Sequence, residues 1–301
     1  MAAGHSGCEG ATNTINSQPV GAGEHLMIPV GECSGFDGRM QLARHRAFLG
    51  TSALLFIASV ATTIYLCQSM SGGMAMPGGW TMSMAWMKMQ GQSWLASAAS
   101  FMGMWAVMMA AMMLPALVPT LLRYRLSLRG MGTIYLNGLT VTAGAGYFFV
   151  WVLLGAIVYP FGVFVAKAGM SSAELSQSMP IAAGMVLLLA GGFQLTDWKA
   201  QQLCRCRAVP AFRHELNHGA GSAWAHGIRL GTDCALCCSG LMAILLVTGV
   251  MNLGAMALVT VAITAERLFP EPERAARGVG LVTIASGLFM IGRAIGAHLR
   301  L

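Results

Sequence analysis

The segment DCALCCSGLM sets Cys234, Cys237 and Cys238 at i, i+3 and i+4, one face of a helical turn. Thiols at that spacing can share a soft metal ion. A second pair, Cys204 and Cys206, lies upstream in QLCRCR. Positions i and i+2 of a regular helix point about 200° apart, so both members of this pair reach one centre only if the chain turns there. If the five thiols meet, tetrahedral zinc accepts four of them, and low-coordinate Cu(I) accepts two or three. A helix beginning near Asp233 places the triad in its first turn, where the helix dipole favours thiolates. Isolated Cys67 reads as a small buried hydrophobe.

Methionine supplies a second set of soft donors, 24 residues in a chain of 301. The loop SMSGGMAMPGGWTMSMAWMKMQ carries Met70, Met74, Met76, Met82, Met84, Met87 and Met89. Methionine in a core fills gaps, but this Gly-rich loop has no evident apolar face. Thioether ligation of Cu(I) there competes with a loop merely rich in methionine. The loop runs into FMGMWAVMMAAMMLP, where Met104, Met108 and Met112 form one helical stripe and Met109 and Met113 another, with Trp105 between. Such stripes pack a core, contact lipid, or form a thioether path into the membrane.

Three further groups belong with these donors. Glu266 and Asp233 lie close to predicted helix ends on the same side as the cysteines, suited to balancing charge or anchoring those ends. The stretch RHELNHG contains His214, Glu215 and His218 in the H-E-x-x-H pattern of zinc peptidases. It has room for about two turns between Pro210 and Gly219, and those turns are polar nearly all round, unlike a buried catalytic helix. The peptidase reading is therefore the weakest, and the two histidines stand as auxiliary imidazoles.

The elements that must hold these residues are membrane helices. The chain is 56% hydrophobic and only 10% charged, too little charge to cover a soluble globule. Its net charge of +7 sits in short clusters beside apolar runs, a membrane-topology pattern and not a nucleic-acid surface. Apolar runs near 47–67, 95–122, 134–166, 178–198, 235–252, 254–268 and 279–298 predict an all-α bundle of about seven spans. Alternate loops are basic, which puts the N-terminus in the cytoplasm and the cysteines on the cytoplasmic side, with the methionine loop outside. Residues 1–46 read as a flexible cytoplasmic tail and 47–301 as the transmembrane domain. No ATP-binding loop, c-type haem motif or serine triad is legible.

The combination of FMGMWAVMMAAMMLP, QLTDWK with its trailing CRC, DCALCCSGLM and VTGVMNLGAMALVTVAITAER resembles a bacterial family of predicted metal-binding integral membrane proteins, a domain of unknown function. The likeness covers about 95–270, although that family usually has an aromatic residue where Ser239 follows the Cys-Cys pair. The resemblance implies a multi-span helical protein, a metal and no assigned reaction. Its motif positions are Met108, Met109, Met112, Met113, Cys204, Cys234, Cys237, Cys238 and Glu266.

The leading expectation is a bacterial inner-membrane protein that moves or delivers Cu(I), with zinc as the other metal, between an outer methionine site and an inner cysteine site. Its partners would be lipid, the metal ion, and other membrane subunits or a metallochaperone, with no nucleic acid. The alternative is an accessory or assembly subunit of a metal-dependent membrane oxidase or oxygenase.

Overall fold

Long apolar segments satisfy their amides internally as helices, each N–H bonding to the carbonyl four residues back. The computed structural model describes residues 34–69, 73–76, 80–83, 86–87, 91–128, 132–207, 219–269 and 271–298. Their order is α1 (Ser34–Ser69), β1 (Met74–Met76), β2 (Trp80–Met82), α2 (Trp94–Ser127), α3 (Thr133–Ser171), α4 (Ala173–Gln194), α5 (Asp197–Arg207), α6 (Ala220–Thr248), α7 (Leu253–Leu268) and α8 (Pro272–His298). The chain divides into two units, residues 1–51 and 52–301. The first contributes the opening part of α1; the second holds the rest of α1 and every later element.

Among the described residues six helices are long and apolar enough to cross a membrane: α1 from Arg46, α2, α3, α4, α6 and α8 as far as Gly296. The seventh expected span is α7, whose 16 residues reach about 24 Å, short of a hydrocarbon core of ~30 Å.

Two helix boundaries depart from the sequence reading. α6 begins at Ala220 and not near 235, because AGSAWAHGIRLGTD lacks the apolar density of a span yet packs closely on α3. An added Cβ at Gly231 would lie 2.8 Å from the Tyr147 carbonyl oxygen, one at Gly146 2.6 Å from that of Trp224, and one at Gly227 would strike the Ala143 carbonyl. Such small-residue contacts bring membrane helices together. The cysteine triad therefore sits mid-helix, beyond the first turn to which the dipole effect is confined, so the expected dipole stabilisation of its thiolates does not apply. The expected fourth span also stops early: α4 ends at Gln194, the chain turns at Leu195 and Thr196, and α5 carries Cys204 and Cys206 as a separate short helix.

The contacts also fix helix directions. α3 and α6 run parallel, with Ala143 against Gly227 and Tyr147 against Gly231. α4 runs antiparallel to α8, since Gly184 meets the carbonyl of Gly287 and Gly191 that of Gly280. It is antiparallel to α6 as well: Gly240 faces Ala190 and Phe193, while Lys199, beyond the end of α4, reaches back to Cys237. Because α6 and α8 both oppose α4, the α7 that joins them has to carry the chain back.

The methionine loop is partly ordered. Met74 pairs with Met82 and Met76 with Trp80 in an antiparallel hairpin. Trp80 Nε1 donates to the Ser176 carbonyl at 3.0 Å, and Trp86 packs on Phe101 with ring centroids 5.1 Å apart. The expectation of a loop without an apolar face is corrected here, because Met82 is buried.

Candidate metal centre

Cys234 is the hub. Its Sγ lies 3.9 Å from Met113 Sδ and 4.0 Å from Cys238 Sγ, and the Tyr147 hydroxyl donates to it at 3.0 Å. Helical spacing on α6 supplies Cys238, α2 supplies Met113, and the close glycine contacts of α3 with α6 bring in Tyr147. All four side chains are buried. From Cys238 the sulfurs continue to Cys237 and then Cys206, each near enough to interact with the next. Among the described residues no three histidine, cysteine or carboxylate donors converge as a cage. The arrangement is a row of sulfurs, closed at one end by a thioether.

Cys206 reaches the row from α5. Its thiol donates to the Asp233 carbonyl at 3.0 Å, and Arg267 Nη2 lies 3.7 Å from its sulfur. Interaction with Cys237, followed by burial, raises this thiol above its ordinary range. Cys204 does not join the row: it is disulfide-bonded, which corrects the expectation of five convergent free thiols. Opposed directions at i and i+2 account for the parting of the pair on a regular helix.

Beside the row lies a buried ionic network. Lys199 Nζ donates to Glu266 Oε2 at 2.8 Å and to the Cys237 carbonyl at 2.6 Å, and Gln194 Nε2 donates to Glu266 Oε1 at 2.8 Å. Burial pulls Lys199 down, but Cys237 and the Glu266 carboxylate outweigh it and hold the ammonium above its usual range. The network ties α4, α5, α6 and α7 together at the level of the thiols. Glu266 is thus committed to Lys199, whereas Asp233 is only half-buried and meets the row through its carbonyl.

The remaining expected donors are spread out. Met104, Met108, Met109 and Met112 are buried inside the protein on the helix that carries Met113. Met74 is exposed, Met76 and Met87 are half-buried and Met82 is buried. Met70, Met84, Met89, His214, Glu215 and His218 lie outside the described residues. A separate contact joins Cys67 Sγ to Met251 Sδ at 3.9 Å.

Tyr147, Gln194, Lys199 and Arg267 were not singled out as site residues from the sequence. Gln194 and Lys199 fall within the quoted QLTDWK, and an ionisable residue buried beside apolar spans is a functional signal in itself. Tyr147 stands in an apolar run with no motif around it, and only the packing of α3 on α6 reveals it.

No curated protein and no solved structure matches the chain. A family described as PpoB2, copper chaperone, matches residues 102–290, the stretch that contains every sulfur of the row and its ionic network. The chain belongs to this copper chaperone family.

Proposed function

We propose that this protein is a membrane-embedded chaperone whose cargo is Cu(I), held by Cys234 and Cys238 with Met113 as the third donor. The observation that carries the reading is the convergence of two thiols and a thioether, buried together within 3.9 and 4.0 Å of Cys234 Sγ. Such a set suits a soft monovalent ion of low coordination number. Zinc ordinarily takes four donors in a structural site, and this set offers three, one of them a thioether.

The cargo enters from the hairpin side through the buried methionines of α2, binds at Cys234, and leaves by ligand exchange along Cys238, Cys237 and Cys206. Passage from weak thioethers to stronger thiolates gives it a downhill direction. The chain crosses the inner membrane of a bacterium seven times, with the cysteines toward the cytoplasm. The opposed directions of α4 against α6 and α8 support α7 as a crossing, and the basic alternate loops support the orientation.

Copper analysis of the purified protein after anaerobic loading with Cu(I) tests the binding. The wild type should retain the ion, and a Cys234→Ser, Cys238→Ser double variant should lose it. Inward movement is tested separately: cytoplasmic copper that is the same with and without the protein contradicts that direction.

A further inference from the structure

We infer that Tyr147 is a positioning residue for the copper ligand Cys234, aiming its sulfur and strengthening its hold on Cu(I); this rests on the copper reading above. The hydroxyl is buried and donates to Cys234 Sγ at 3.0 Å. A buried hydroxyl requires a partner. A neutral thiol is a weak acceptor, whereas a thiolate, free or on a metal, makes the bond charge-assisted. The pairing is therefore worth more once Cys234 has given up its proton, as it must to bind a metal.

The direction of this bond is set by backbone, not by a mobile side chain. α3 and α6 approach so closely that a Cβ at Gly231 would lie 2.8 Å from the Tyr147 carbonyl oxygen, with Gly146 making the same kind of contact one residue earlier. The tyrosine is thus registered against the turn of α6 that leads to Cys234. Its proton occupies one lone pair of that sulfur, leaving the others for a metal shared with Met113 and Cys238, 3.9 and 4.0 Å away. Groups that hydrogen-bond to a metal ligand in this way are typically worth ~10–100-fold in metal affinity.

The test compares wild type, Tyr147→Phe, Cys234→Ser and Tyr159→Phe, each purified in detergent and titrated anaerobically with Cu(I) against a colorimetric chelator. Tyr159 serves as control because its hydroxyl bonds to Ser97, away from the sulfurs. Tyr147→Phe should weaken Cu(I) binding about tenfold and move the sulfur-to-copper charge-transfer absorption to longer wavelength, since the sulfur lone pair loses its stabilising proton. Tyr159→Phe should change neither. A structural role alone would lower thermal stability without moving the absorption band. Should Tyr147→Phe fold poorly, 3-fluorotyrosine placed at position 147 keeps the ring and is a stronger donor, so the band should move to shorter wavelength. Unchanged affinity and an unmoved band in a wild type that binds copper through Cys234 overturn the role of Tyr147 alone. A wild type that takes up no Cu(I) overturns the copper reading with it.

Discussion

Lys199 and Glu266 carry the most expensive burial among the described residues, each 1% exposed at the side chain and 2.8 Å apart. Removing one member of such a pair costs about 3–5 kcal/mol, because the other is left charged without a partner. Glu266→Gln should therefore lower the thermal unfolding midpoint sharply, and a Lys199→Met, Glu266→Leu double variant should recover much of the loss. Met113→Leu addresses the cargo. Its volume is conserved, so stability should change by less than ~1.5 kcal/mol, while Cu(I) affinity drops with the thioether; a titration showing undiminished affinity would remove Met113 from the site. The cysteine face of α6 is legible in the sequence because i, i+3 and i+4 are neighbours on any helix. Tyr147 and Met113 are not legible as its partners, since they come from helices 87 and 121 residues away along the chain. Spacing on a regular helix already implied that the two cysteines of α5 part company.

At the scale of elements, hydropathy finds the long apolar helices and misses helix where small and polar residues pack it against a neighbour. Five of the expected spans correspond directly to α1, α2, α3, α4 and α8, whereas the first half of α6 reads as loop because its residues are small and polar. Pro115 and Pro119 lie within the one continuous helix α2. The α3–α6 seam allows a discriminating substitution. Gly231→Leu has no space between the helices, so it should push them apart, break the Tyr147–Cys234 contact and reduce both stability and copper retention. Gly103→Ala on α2, with nothing within 4 Å of its added Cβ, should leave copper retention at the wild-type level. Equal behaviour of the two variants in unfolding and copper assays would contradict the seam as the element that positions the site.

For the molecule as a whole, the number of crossings decides where the sulfur row opens. Seven crossings put the two termini on opposite sides of the membrane, and six put them on the same side. A reporter active only outside the cytoplasm, fused after Leu301, should therefore be active, while the same reporter placed in the loop between α2 and α3 should be silent; a silent C-terminal fusion would leave α7 as a hairpin arm that does not cross. The central claim concerns the cargo, and the measurement that reaches it most directly is X-ray absorption of the copper-loaded protein. A sulfur-only environment of two to three ligands around Cu(I), lost in the Cys234→Ser, Cys238→Ser variant, is the predicted result. Copper surrounded by nitrogen or oxygen donors, or a spectrum unchanged in that variant, would contradict the account.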